Sequence, residues 1–124
     1  MIQAGKKATV TTTVSEKNTA KTVGSGSLDV FSTPMMIALM EEAACECLKD
    51  GLEAGQTSVG TLINAEHKAA SPIGATISAT AVIDAVDGRK VSFTVTANEG
   101  EKEIGCGKHD RFIVDEEKFM SRLK

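Results

Sequence analysis

The segment from Pro34 to Asp50 is the one stretch with the length and apolar density of a core helix, and the chain beyond Gly55 reads as strand. Six apolar residues, Met35 to Met40, follow the proline before Glu41 and Glu42 interrupt the run. Thr33 stands where an N-cap belongs, and Pro34 where the first helical turn tolerates proline. Lys49 and Gly51 supply a cationic last turn and a glycine stop. A helix is therefore predicted over 34–50.

Four strands are predicted after it, in "TSVGTLINAEHKA", "GATISATAVIDAV", "RKVSFTVTANE" and "EKEIGCGKHDRFIV". Asp87-Gly88 is the sharpest hairpin signal between them. Alternation in "ATISATAVIDAV" puts Ile77, Ala79, Ala81, Ile83 and Ala85 on one face and Thr76, Ser78, Thr80, Val82 and Asp84 on the other. An apolar sheet face needs a cover, and the central helix is the only sizeable one. Upstream, "ATVTTTVSEKNTAKTV" predicts a strand or hairpin and "GSGSLD" a mobile loop, while "DEEKFMSRLK" predicts a short helical tail. The architecture expected is α+β, a single domain over 1–124 with one long central helix wrapped by a curved antiparallel sheet.

With no Trp, no Tyr and four Phe, the core must be built from Val, Ile, Ala, Leu and Met. A net charge of −3 with both signs interspersed leaves no broad basic footprint, so nucleic acid is not an expected partner. No apolar stretch approaches the roughly 18–20 residues that span a bilayer, so no membrane association is expected. The opening "MIQAGKKATV" lacks the apolar core of a signal peptide. Three cysteines, Cys45, Cys47 and Cys106, then suggest reduced thiols and a cytoplasmic setting. Cys45 and Cys47 are two apart on a helix and point apart, so they are expected as small buried hydrophobes, not metal ligands. Nothing resembles a phosphate loop, and no cofactor is expected.

Helical geometry separates the two glutamates. Glu42 shares its side with Glu46 and Lys49 and is expected to face water. Glu41 has Ile37, Ala38, Ala44, Cys45 and Leu48 around it, a dry stripe on which an ionised carboxylate is costly and its pKa is raised. It needs a partner or a chemical task, unless it lies at the helix edge and reaches water. His67 shares a strand face with Ala65 and Ile63, as a structural residue or a functional one. His109, between Lys108 and Asp110, is expected at the surface. Thr33 has ordinary capping as its plain role, yet a helix start also gathers free N–H groups. A hydroxyl there, a carboxylate two turns along and a histidine from an adjoining strand compose an acyl-transfer site.

The segments "VFSTPMMIALMEEA", "SVGTLINAEHKAASPIG", "VDGRKVSFTVTANEGEKEIGCGKHDRF" and "EEKF" resemble the fluoroacetyl-CoA thioesterase-like family of hotdog-fold acyl-CoA thioesterases. The resemblance runs from Val30 to the C-terminal end with few gaps. It implies a hotdog fold and places the family's catalytic threonine, glutamate and histidine on Thr33, Glu41 and His67. Gly60 and Arg111 match a family glycine and an arginine near the site, as substrate-binding residues. It implies an acyl-CoA substrate and a homodimer with the site at the interface, Glu41 and His67 coming from opposite protomers. Two departures bear on specificity. The family's lid carries phenylalanines that close over the acyl group, and "VGSGSLD" has none. Glu42 stands where an aromatic residue follows the catalytic glutamate.

The expected activity is hydrolysis of a short-chain acyl-CoA to free acid and CoA, with Glu41 as base or nucleophile and Thr33 and His67 assisting. Thr33 is expected to hold Glu41 or the reacting carbonyl. Arg89, Lys90, Lys108 and Arg111 are the basic residues to consider for the coenzyme A phosphates. A non-catalytic acyl-CoA binder and a hydratase or dehydratase on the same fold are the alternatives.

Overall fold

A computed structural model describes all 124 residues, Met1 to Lys124. The elements run β1 (Lys7–Thr13), α1 (Ala20–Val23), α2 (Thr33–Leu48), β2 (Gln56–His67), β3 (Thr76–Asp87), β4 (Lys90–Glu99), β5 (Lys102–Asp115) and α3 (Glu116–Ser121). The five strands form one antiparallel sheet in the order β1-β3-β4-β5-β2. α2 lies against its inner face, the expected α+β arrangement of one helix and one wrapping sheet. No helix is long and apolar enough to cross a membrane.

The core forms where the period-2 face of the sheet meets the period-3.6 face of the helix. Ile77, Ala79, Ala81 and Ile83 of β3 and Val91, Phe93, Val95 and Ala97 of β4 are buried against Met36, Met40, Ala43, Ala44, Cys47 and Leu48 of α2. The alanines let the helix approach the strands closely, so large side chains are not needed to fill the layer. Each fully buried Leu, Ile, Met or Phe contributes about 1.5–3 kcal/mol. Leu48→Ala would therefore cost about 2–5 kcal/mol.

Four local expectations change. Ala85 is exposed, because pairing passes from Ile83↔Phe93 to Ala85↔Ser92 and leaves Asp84 as a bulge. One extra residue reverses the in-out parity beyond it. The cap of α2 is Ser32, whose hydroxyl accepts from the Met35 amide at 3.3 Å, so Thr33 is the first helical residue. The helix ends at Leu48 and a 3-10 turn carries Lys49–Gly51. Only the first part of the Thr-rich stretch is strand.

Residues 24–29 are a loop, as expected, exposed throughout and held by backbone bonds at its two ends. Thr19 caps α1, Gly24 closes it at φ 81°, and the Lys21 and Ala20 amides donate to the carbonyls of Leu28 and Val30. Of the cysteines only Cys47 is buried; Cys45 is exposed and Cys106 intermediate. The Cys47 thiol donates to the Lys6 carbonyl at 3.4 Å, and burial pushes its pKa up, with Lys6 pulling slightly the other way.

Candidate active site

Because Ser32 takes the capping role, the Thr33 hydroxyl is free to turn outward from the first turn of α2. It lies 2.8 Å from Nδ1 of His67, the last residue of β2. Phe31 meets the imidazole edge-on, ring centroids 6.5 Å apart at 79°. The ring is half-buried, and its Nε2 is out of solvent with no well-formed hydrogen bond. Burial lowers the His67 pKa from its usual 6.5, with the Ala69 backbone pulling slightly upward. A neutral imidazole accepts the threonine proton, the arrangement that activates a hydroxyl. The pair opens on a cavity of about 250 Å³ walled by Ala20, Val30, Phe31, Ala69 and Ala70.

Glu41 sits two turns further along α2, beside a second polar cluster. Its side chain is 41% exposed and its Oε2 lies 3.6 Å from the Arg111 guanidinium. The dry stripe expected around Glu41 is thus only half realised. Ala38 and Cys45 are exposed, and a guanidinium replaces the apolar wall. Arg111 is itself 7% exposed and held from three sides. Its Nε donates to Ser58 Oγ at 2.8 Å, one terminal nitrogen donates to the Ser58 carbonyl at 3.1 Å, and the other is 3.3 Å from His109 Nε2.

His109 departs from its expected surface role: it is 1% exposed and stacks on Phe93 at 6.0 Å. Its Nδ1 is 2.7 Å from the Leu62 carbonyl. A carbonyl only accepts, so Nδ1 carries the proton and Nε2 is left to accept from Arg111. A neutral histidine therefore buttresses the arginine that faces Glu41. Alternation of His109, Arg111 and Ile113 in β5 carried that signal, since all three are buried. Ser58 was missed because nothing local distinguishes it.

Gly60 belongs to this cluster by contact. A Cβ there would lie 2.8 Å from Glu41 Oε2 and 3.3 Å from both Arg111 and His109. Gly60 and His67 are an odd number of residues apart, yet both serve the helix side of β2. A bulge reconciles this. Pairing jumps from Gly60↔Arg111 to Leu62↔Asp110, leaving Thr61 over.

Within one protomer the two clusters stay apart. Thr33 and Glu41 are separated by about 12 Å of helix rise, and each opens on its own cavity. Thr33 is bonded to His67 and not to Glu41, one of the two partners expected for it beside the reacting carbonyl. Among the other basic residues, Lys90 pairs with Asp110 at 3.8 Å, and Lys108 is held by Asp84 and Thr94.

An imidazole-bonded hydroxyl and a carboxylate steadied by arginine are groups suited to acyl transfer, and known proteins bear on this directly. The family described as fluoroacetyl-CoA-specific thioesterase matches residues 14–117. The fluoroacetyl-CoA thioesterase of Streptantibioticus cattleyicolor is 41% identical over 96 residues, covering 77% of this chain and 69% of that one. The solved structure of the fluoroacetyl-CoA thioesterase FlK superposes with a TM-score of 0.92 at 33% identity, covering 99% of this chain and 96% of that one. A variant of FlK in complex with fluoroacetate and CoA gives 0.89 at 35% identity, covering 95% and 99%. A thioesterase superfamily member from Thermus thermophilus gives 0.91 at 26% identity, covering 99% and 91%.

The chain is a hotdog-fold thioester hydrolase acting on acyl-CoA. It belongs to the fluoroacetyl-CoA-specific thioesterase family.

Proposed function

We propose that the protein hydrolyses a short-chain acyl-CoA to the free acid and CoA, with Thr33, His67 and Glu41 as its catalytic groups. The observation that carries this reading is the 2.8 Å bond between Thr33 Oγ1 and His67 Nδ1 at the mouth of a cavity walled by three alanines, Val30 and Phe31. Glu41, steadied by Arg111 and given room by the missing side chain of Gly60, acts as base towards water or as nucleophile towards the thioester carbonyl. Of the first-turn amides of α2, that of Thr33 alone is left for the developing oxyanion, since Pro34 has none and those of Met35 and Met36 donate to Ser32. His67 assists departure of the thiolate. No phenylalanine occurs between Lys17 and Val30, which suits an acyl group other than a fluoroacetyl unit gripped by aromatic rings.

The protein works as a homodimer. β2 is an edge strand of twelve residues with Leu62 48% and Ile63 37% exposed. Antiparallel pairing of two such edges brings Glu41 of one protomer towards the Thr33 and His67 pair of the other, which offsets their separation within one chain.

The test is thiol release from a panel of short acyl-CoAs by wild type and Glu41→Gln. Turnover that vanishes in the variant while acyl-CoA still binds supports the assignment. A wild type that binds acyl-CoA without cleaving any would sink it. An equally active variant would remove Glu41 from the chemistry. In ¹⁸O-labelled water, label found in the Glu41 carboxylate after turnover would identify it as the nucleophile, through hydrolysis of the anhydride at its own carbonyl.

A further inference from the structure

The Arg111 guanidinium faces Glu41 without closing on it. Its Nε donates to Ser58 Oγ at 2.8 Å and its Nη2 to the Ser58 carbonyl at 3.1 Å. Its Nη1 stands 3.3 Å from His109 Nε2 and 3.6 Å from Glu41 Oε2. An unrestrained guanidinium and carboxylate close into a fork of two parallel bonds, at about 2.7–2.9 Å each. At 3.6 Å the pair has charge attraction but no hydrogen bond. That shortfall needs a cause, because the Glu41 side chain is 41% exposed and free to come closer.

His109 supplies the cause. It lies two residues before Arg111 on β5, so the two side chains stand on the same buried face. The ring is 1% exposed, stacked on Phe93, and fixed by Nδ1 at 2.7 Å from the Leu62 carbonyl, beside the bulge at Thr61. With its proton on Nδ1, the buried Nε2 has only an acceptor's role, and Arg111 is the one donor the structure gives it. An arginine turned wholly to Glu41 would strand that nitrogen out of water. A half-exposed carboxylate gains less than that costs, since water already serves its lone pairs. The competition for Nη1 therefore goes to His109. Both competitors line one cavity of about 180 Å³, walled otherwise by residues 60–63.

Resting on the reading of Glu41 as base or nucleophile, we propose that His109 is a positioning residue of the thioesterase reaction. It holds Arg111 back, so that Glu41 keeps a positive charge beside it and still has its lone pairs free for a water proton or the thioester carbonyl. A carboxylate locked in a fork has committed those lone pairs to the guanidinium. Ser58 shares the task through Nε and Nη2. His109 acts through Arg111 and not on the ester itself.

The experiment uses two variants that replace different ring nitrogens. The amide of His109→Gln reaches the position of Nε2, and its oxygen accepts from Arg111. The amide of His109→Asn reaches only the position of Nδ1, where it donates to the Leu62 carbonyl and leaves Arg111 loose. Both lose the ring stacked on Phe93, so both should melt lower by similar amounts. With the short acyl-CoA that wild type cleaves fastest, His109→Asn should lose about tenfold or more in kcat with KM nearly unchanged. His109→Gln should recover most of that loss. Equal kcat in the two variants, or losses that follow melting temperature, overturns the proposal. Should neither variant fold, Ser58→Ala removes one tether at a partly exposed position and should lower kcat in the same way; an unchanged kcat overturns it. If wild type cleaves no acyl-CoA, or Glu41→Gln is fully active, the catalytic reading has failed and the restraint is judged by structure. A crystal structure of His109→Asn, or of Ser58→Ala, should then show Arg111 closed on Glu41 at about 2.9 Å. A guanidinium that has not moved overturns it.

Discussion

Thr33 Oγ1 stands 2.8 Å from His67 Nδ1 because Ser32, one residue earlier, relieves Thr33 of capping α2. The hydroxyl is left unengaged by the cap, beside the one free amide of the first turn, its own. Thr33 is exposed, so Thr33→Ala should leave the melting temperature nearly unchanged. Its kcat should fall by about 10²-fold or more, and Thr33→Ser should recover most of it. Kinetics and thermal melts on the two variants make the check; an alanine variant with full activity would reduce the pair to a structural contact.

Gly60 tests the second cluster. Gly60→Ala would put a methyl 2.8 Å from Glu41 Oε2, the mobile end of a half-exposed side chain. The carboxylate has room to retreat, so folding should suffer by only a few degrees of melting temperature, as for a change of about 1 kcal/mol. Catalysis should lose about 10²-fold, because a displacement near 1 Å is enough to spoil an attack geometry. A variant that loses stability but keeps kcat would show that the close approach serves packing alone.

His67 should set the acid limb of both activity and stability. Burial lowers its folded pKa below 6.5, so between that lowered value and 6.5 the unfolded chain binds more protons than the folded one. Its contribution to stability is full above pH 6.5 and is lost as pH falls through that window. Denaturant midpoints measured from pH 7.5 to 5 should decline more for wild type than for His67→Asn. The neutral imidazole needed by Thr33 should persist somewhat below pH 6.5, so kcat/KM should begin to fall only on the acid side of that value. A limb centred above 6.5 would assign it to another group.

Period carried most of the fold in the sequence. Strict alternation in β3 and β4 and the apolar density of α2 identified the two faces that meet in the core. What stayed hidden was wherever one residue is added or spared. The bulge at Asp84 turned Ala85 outward, and the bulge at Thr61 brought Gly60 and His67 to one side. Neither leaves a mark on composition. Ser32 and Thr33 are both good caps, and only the helix entry angle chooses between them. Glu41 stood out as the misplaced carboxylate; the resemblance put Arg111 near the site, but its pairing with Glu41, seventy residues away in sequence, became visible only through the sheet.

In the proposed dimer the two clusters would meet across the interface, so oligomeric state should be a catalytic variable. β2 presents an unpaired backbone edge, and a long apolar edge left open is a template for another strand. Leu62, 48% exposed at the middle of β2, is placed to be covered by a second copy. Leu62→Arg would set two like charges near the two-fold axis of such a pair, while costing the isolated protomer little because the side chain is already in solvent. Sedimentation should show wild type at twice the chain mass and the variant shifted towards monomer. Its turnover should fall by about tenfold or more, since a lone protomer leaves Glu41 some 12 Å of helix away from Thr33. Activity lost in proportion to dimer, and recovered at high protein concentration, places the site across the interface. A fully active monomer would return all three catalytic groups to one chain and require α2 or the Glu41 side chain to move towards His67 when substrate binds.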